Sequence, residues 1–383
     1  MGAIEKFLSQ REEDGLLRIL RPADLRKGGK IYFDGKEFFD FSSNDYLGLS
    51  NHPRFKEAAK KAVENFGTSA SASRLLSGDL KIFHQLEEAV AKFKGKEAAL
   101  VFNSGYQANM GVISALYGRD DAIFCDRLSH ASIIDGITLS GAKLFRFKHN
   151  DLEHLKSLLK KNAGKFKNNL IATETIFSMD GDRCPLKELV EIKNKYGCSL
   201  FADEAHATGI FGISGSGIVE QEGLSQHVDL IMGTFSKALG SFGAYLACAE
   251  NIKQYLINTC RSFIYSTALP PAVIAVNMEA LNIVKDEPHR RQILLANADY
   301  FREKLQMAGL DVRGSSQIIP LIIGDAEKAV EISELLKRDG YWVLPIRPPT
   351  VPANESRLRF SLSFDHSRDV LQKLAERIIE IIK

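Results

Sequence analysis

The sequence predicts an α/β fold: a mostly parallel seven-stranded sheet with helices on both faces, followed by a smaller C-terminal α+β domain. Three observations carry that expectation. Seven short apolar runs are separated mostly by helix-sized segments, the pattern of strands joined by crossover helices. Polar clusters fall at the carboxyl ends of these runs, where parallel sheets bind ligands. Beyond Pro270-Pro271 the composition shifts to long helical stretches and short strands.

The elements follow in order. Ile4, Phe7, Leu8, Leu16, Leu17 and Leu20 stand among charges, so residues 1–20 are expected to form an amphipathic helix lying on another surface. Residues 30–33 and 36–41, joined by Asp34-Gly35, carry a hairpin signal. Residues 41–48 are rich in turn formers and predict a loop that could contact substrate. Helical spacing over 83–94 begins the regular part. The strand runs are 98–102, 122–125, 143–147, 170–174, 199–202, 230–233 and 244–248. Helices over 275–286 and 290–308 then precede strands near 318–323, 341–345 and 357–361 and a last helix over 367–383. The expected division is an N-terminal arm of helix and hairpin (1–45), a large ligand-binding α/β domain (46–270) and a small α+β domain (271–383).

Bulk properties narrow the function. A net charge of +2 with 26% charged residues gives no field that favours nucleic acid or a membrane surface. Small molecules and a second copy of the chain are the expected partners. Cys125, Cys184, Cys198, Cys248 and Cys260 are odd in number and form no C-x-x-C pair, which argues for a reducing compartment and against a disulfide framework or zinc ribbon. The first residues lack an apolar signal core, and the weakly charged run 263–284 is broken by Pro270-Pro271 and Glu279. A cytoplasmic protein without membrane spans is expected.

The chain's chemistry centres on Asp229 to Gly243, an apolar strand running into a turn of small and hydroxyl side chains with one lysine, Lys237. Most isolated lysines are solvated surface groups. Here Thr234 and Ser236 supply hydroxyls and main-chain N–H groups, and Gly240 and Gly243 permit close backbone approach, so the turn could hold a phosphate. A lysine beside a bound aldehyde would form a Schiff base. Other strand ends add weaker signals. Asn103-Ser104-Gly105-Tyr106-Gln107 is a strand-to-helix turn suited to phosphate. His130 opens the next helix, either as an ordinary turn residue or as an imidazole stacked on a flat cofactor. Asp180-Gly181-Asp182 reads as a turn rather than a metal site, with Ser178 the better candidate for a contact.

Asp203-Glu204-Ala205-His206 at the end of another strand admits three readings. Its letters match a helicase ATPase box, but no G-x-x-x-x-G-K-[ST] accompanies it. A metal hydrolase would need further ligands at suitable spacing, which are absent nearby. The third reading pairs Asp203 with Lys237: a buried carboxylate keeps a pyridine nitrogen protonated and makes the ring an electron sink, while the lysine carries the aldehyde. That combination describes a pyridoxal phosphate (PLP) site.

The order Ser129-His130, Ser178-Met179-Asp180-Gly181-Asp182, Asp203-Glu204-Ala205-His206 and Thr234-Phe235-Ser236-Lys237 resembles the α-oxoamine synthases, PLP enzymes of the aspartate aminotransferase-like fold type I. Residues 41–49, 73–78, 263–271 and 346–352 extend the likeness over almost the whole chain. The resemblance implies that Lys237 carries PLP, Asp203 holds the pyridine nitrogen, His206 and Ser178 bond the ring hydroxyl, and His130 stacks on the ring. Gly105, Tyr106, Thr234 and Ser236 would surround the phosphate, with Ser266 and Thr267 reaching the phosphate of a neighbouring subunit in a homodimer with shared active sites. Arg359 with Asn44 would take the amino-acid carboxylate, and Arg18, Arg347 and Thr350 would border the acyl-chain entrance. His130 also belongs to the implied substrate and catalytic sets.

Among family branches the chain is most similar to the one serving biotin synthesis. The implied reaction is a decarboxylative condensation of L-alanine with a pimeloyl thioester, of coenzyme A or an acyl carrier protein. Glycine-using ketobutyrate ligases commonly show Cys-Phe-Asp where Gly105-Tyr106-Gln107 stand here. The stretch 68–73 departs from the family in having Ser and Ala where Gly is usual. An aminotransferase would share Lys237 and Asp203 but would need no thioester pocket.

Overall fold

The structure is a computed structural model and describes residues 2–14 and 16–383. Its centre is a seven-stranded sheet in the order Ala98–Phe102, Ala244–Cys248, Leu230–Thr234, Ser199–Asp203, Asn169–Glu174, Ala122–Asp126, Lys143–Phe147. Ala244–Cys248 pairs antiparallel with both neighbours, and every other adjacent pair is parallel. Six strands therefore end at one edge, and their polar termini meet there. The apolar runs are continuous because helices cover both faces: Ala98–Phe102, Ala122–Asp126, Leu230–Thr234 and Ala244–Cys248 are buried at every position. The edge strand Lys143–Phe147 is only partly covered. The predicted seven-stranded, mostly parallel sheet is thus observed.

The reversed strand returns through a hairpin. Ala244 lies opposite Thr234, and the Phe235 N–H donates to the Gly243 carbonyl at 2.9 Å. Gly240 and Gly243 have φ of 60° and 95°, and a Cβ at Gly240 would lie 2.7 Å from the Ser50 nitrogen. Glycine lets this turn pack against the loop that follows the Lys36–Asp40 strand.

The Lys30–Phe33 and Lys36–Asp40 hairpin forms as expected, with both Asp34 and Gly35 at positive φ. The N-terminal helix differs from its prediction. It spans Gly2–Glu13, buries none of its residues, and leaves Ile4, Phe7 and Leu8 exposed; residues 16–20 follow without regular structure. Among the described residues that thin apolar stripe is not buried, so tertiary packing does not support a longer helix.

After the sheet come the helices Pro271–Asp286 and His289–Met307, then a three-stranded sheet ordered Ile318–Gly324, Ser356–Ser361, Pro345–Ile346. The strand expected over 341–345 is split: Tyr341–Trp342 joins the N-terminal hairpin beside Lys36–Asp40, while Pro345–Ile346 pairs with Ser356–Ser361. Ser356–Ser361 carries Arg359 toward the large sheet, and Arg368–Ile382 closes the chain. Among the described residues no helix is long and apolar enough to cross a membrane.

Candidate active site

The sheet edge gathers one polar cavity. It is lined by Gly105, Tyr106, Asn109, His130, Ser132, Glu174, Asp203, Ala205, His206, Met232, Thr234, Ser236 and Lys237. Lys237 sits on the hairpin turn after Leu230–Thr234. The Thr234 hydroxyl donates to the Gly243 carbonyl at 2.8 Å and accepts from the Ser236 N–H at 3.2 Å; its oxygen lies 2.7 Å from the Ser236 hydroxyl. Burial pushes the Lys237 amine below its ordinary pKa, against the pull of Asp203 and Glu174; nearby Arg359 pushes the same way as burial. The site thus eases loss of the Lys237 proton relative to an exposed lysine.

Asp203 ends its strand 4% exposed. One carboxylate oxygen accepts the Ala205 N–H at 2.9 Å, and the other accepts the Asn109 amide at 2.9 Å. Glu174 is its cross-strand neighbour in the parallel register. Burial raises Glu174 well above the usual carboxylate range, and the charge of Asp203 adds to the shift. Burial and the neighbouring Asp203 charge thus disfavour the ionised form of Glu174.

The helix Gly105–Leu116 points its N-terminus into the cavity; its cap, Ser104, accepts the Gln107 N–H at 3.2 Å. Helical geometry leaves the first N–H groups without an intrahelical acceptor, so they and the hydroxyls of Thr234 and Ser236 form a set suited to an anion. His130 caps the helix Ala131–Ser140 through Nδ1, and its ring meets that of Tyr106 edge-on at 6.2 Å. Burial lowers the His130 pKa, opposed by Asp203 and reinforced by Lys237. His206 is held well below its ordinary pKa, first by burial and then by Lys237 and Arg359. Both imidazoles are thereby biased toward the neutral form at pH 7.

Ser178 and Thr267 lie outside the cavity lining. The Ser178 carbonyl accepts Arg359 Nε at 2.6 Å, and the exposed Thr267 gives its carbonyl to Asn103 at 2.9 Å. Ser266 accepts from Gln107 at 2.8 Å. Arg359 Nη2 reaches the Tyr46 hydroxyl at 3.5 Å, which lies 2.8 Å from His206 Nδ1 and 3.0 Å from Asn44 Oδ1. Asn44, Tyr46, His206 and Arg359 thus form one chain leading into the cavity, and Tyr46 was not foreseen. Asp180 belongs to a turn, as read, but is also gripped by Arg357 at 2.6 Å; Asp182 pairs with His149 at 2.9 Å.

Arg18, Arg347 and Thr350 gather elsewhere. Arg18 and Arg347 border a groove with Leu17, Leu20, Phe33 and Trp342, which adjoins a second depression that includes Thr350. Neither includes Lys237, so within one chain the acyl-entrance residues and the lysine occupy separate concavities. Sequence reasoning also missed Asn109, Ser132, Glu174 and Met232. Asn109 and Ser132 each lie within a turn of a residue that was singled out, but only the fold brings their side chains together.

The cavity fits PLP on its own chemistry. A carboxylate with two ordered donors can face a protonated ring nitrogen. The buried Glu174 Oε1, which has no partner among the described residues, stands in the wall of the same cavity as an amine of lowered pKa. A helix N-terminus and two hydroxyls suit the phosphate. Among the described residues no group of three or more His, Cys, Asp or Glu side chains is placed to hold a metal ion.

The family model of aminotransferase class I and II matches residues 36–378, and the chain belongs to that family. Within it, the chain is 47% identical to 8-amino-7-oxononanoate synthase of Geobacter sulfurreducens over 380 residues, 98% of this chain and 97% of that one. A serine palmitoyltransferase of S. paucimobilis, solved with bound PLP-myriocin, superposes with a TM-score of 0.92 at 29% identity, covering 99% of this chain and 96% of the other. An 8-amino-7-oxononanoate synthase of Francisella tularensis gives 0.79 at 31% identity, covering 90% and 98%. The resemblance and fold type read from the motifs are borne out.

Proposed function

We propose that the chain is a PLP-dependent acyltransferase, an 8-amino-7-oxononanoate synthase of biotin biosynthesis. It condenses L-alanine with a pimeloyl thioester and releases carbon dioxide and free thiol. The observation that carries the reading is that Lys237 and Asp203 line one cavity, with Arg359 close enough to bias the lysine. The 47% identity to the Geobacter enzyme, against 29% to the S. paucimobilis palmitoyltransferase, favours alanine and pimeloyl over serine and palmitoyl.

Lys237 would hold PLP, Asp203 its ring nitrogen, and Gly105, Tyr106, Thr234 and Ser236 its phosphate; His130 would cover the ring, and His206 with Ser178 would bond the ring oxygen. When bound, PLP supplies an electron sink for negative charge at the amino-acid α-carbon. Arg359 and Asn44 hold the alanine carboxylate, which fixes the α-carbon before reaction. The Lys237 amine, whose pKa burial lowers, takes the α-proton. The α-carbon then bonds to the acyl carbon as the carbon–sulfur bond breaks, and the thiol leaves with a proton. Arg359 holds the carboxylate until it leaves as carbon dioxide; the electron pair left on the α-carbon then takes a proton, which Lys237 is placed to return, and the amino ketone results.

Arg18, Arg347 and Thr350 border the acyl entrance in this reading. The exposed Thr267 and the half-buried Ser266 complete the phosphate site of a second copy in a homodimer. The division at residues 45 and 270 is retained, and five free, buried cysteines support a cytoplasmic location.

Thiol release by the PLP-loaded chain, measured with alanine or glycine against pimeloyl and short acyl thioesters, is the test. Preference for alanine with pimeloyl is expected, together with a visible absorbance that Lys237→Ala loses. Equal rates with glycine and short donors would refute the assignment.

A further inference from the structure

We propose that Asn109 is a positioning residue, a single amide that aims the Asp203 carboxylate and, through the Ser132 hydroxyl, fixes which nitrogen of His130 carries the proton. Asn109 stands on the helix Gly105–Leu116, 1% exposed, in the wall of the cavity. Its Nδ2 donates to Asp203 Oδ2 at 2.9 Å and to Ser132 Oγ at 2.9 Å, so both amide hydrogens are used. Ser132, having accepted, turns its own hydrogen to His130 Nδ1 at 2.8 Å. The Ser132 N–H donates to the same nitrogen at 3.2 Å. Nδ1 is therefore an acceptor twice over, and the imidazole proton resides on Nε2.

The amide can be placed only one way round. Reversed, it would set an oxygen against the Asp203 carboxylate and take the donor from Ser132. Its remaining oxygen is buried without a partner among the described residues. An apolar side chain of similar size would fill the space without leaving such an orphan, so packing does not explain an amide here. Gly136 favours the relay: a Cβ there would lie 3.0 Å from the Asn109 carbonyl oxygen and from the Met110 Cα, tighter than ordinary contact, so glycine eases the close approach of the helix bearing Ser132. The groups facing His130 are Asp203, Lys237, Glu174, His206 and the Tyr106 ring, and the relay joins Asp203 to the imidazole by hydrogen bonds. The inference rests on the proposed function only in assigning Asp203 and His130 to opposite aspects of one cofactor.

The test uses the full chain labelled with ¹⁵N-histidine, with and without PLP. Long-range proton–nitrogen spectra give the His130 tautomer and titration midpoint, and a PLP titration gives affinity. The parent is expected to carry the proton on Nε2. Ser132→Ala should raise the His130 midpoint by roughly half a unit to one unit, because one donor to Nδ1 is gone, and should weaken PLP less than Asn109→Ala does, because Asp203 keeps its donor. Ser132→Thr should restore the midpoint. Asn109→Ala should shift the midpoint the same way and also weaken PLP about tenfold, because Asp203 loses a donor. Should that variant not fold, Asn109→Ser, too short to reach both acceptors, carries the same test. A proton on Nδ1 in the parent, or an Asn109 variant with parental midpoint and affinity, overturns the proposal. A chain that binds no PLP defeats the proposed function, while the His130 spectra still decide the relay.

Discussion

Replacing Lys94 with methionine should be among the most damaging single changes outside the cavity. Lys94 is 2% exposed and Glu204, the residue after Asp203, is 0% exposed. Lys94 Nζ donates to Glu204 Oε2 at 2.8 Å and to Thr208 Oγ1 at 3.1 Å, and it also contacts the Ser216 carbonyl. The other Glu204 oxygen accepts the Val219 N–H at 3.0 Å. Burial alone would push the Lys94 pKa down, but Glu204 outweighs it and holds the amine above its ordinary range. The amine's contribution is therefore complete at pH 7 and declines as pH climbs through that raised range. Lys94→Met leaves a carboxylate buried without its counter-charge, which costs about 3–5 kcal/mol. Lys94→Met with Glu204→Gln removes both charges and keeps an acceptor for Val219, so its cost should fall to about 1–2 kcal/mol. Urea unfolding at pH 7, followed by far-ultraviolet circular dichroism, measures both. A single variant within about 1 kcal/mol of the parent, or a double variant no better than the single one, would refute the reasoning.

Other outcomes follow from the same structure. Arg359→Lys should raise the KM for alanine about tenfold with a smaller loss in kcat, because a point charge replaces a planar fork; steady-state kinetics decide it. Burial pushes His149 down, but its bonds with Asp126 and Asp182 lift its pKa from 6.5 to about 10. Its stabilisation is then full below pH 6.5 and declines toward pH 10, and urea midpoints measured across that window should fall less steeply in His149→Gln. Gly233→Ala places a methyl 2.2 Å from the Tyr245 hydroxyl in a fully buried strand and should lose about 1–3 kcal/mol in the same unfolding assay.

Much of this architecture was legible because strands buried on both faces leave unbroken apolar runs, and polar residues then mark where each run stops. Lys237, Asp203 and His130 could be read for that reason. The elements that escaped depend on partners distant in the chain. Glu204 looked like part of a motif, yet its role is set by Lys94 from 110 residues earlier. Tyr46 lay in a stretch read as a loop, but it is fully buried between Asn44, His206 and Arg359. Asn109 and Glu174 carry no local pattern that separates them from ordinary core polar groups. The N-terminal helix failed in the opposite sense, since a periodic apolar stripe does not state what it will rest on.

The antiparallel strand has a consequence for how the lysine is held. Crossover segments between parallel strands are long and can accept inserted residues at little energetic expense. Lys237 instead rides on a tight reversal whose two legs are bonded across the sheet, from Thr234 to Ala244, and whose crown abuts Ser50. Variation in length is therefore tolerable at most sheet corners but not at this one. The amine's reach is set by the span of a clasp that cannot be let out.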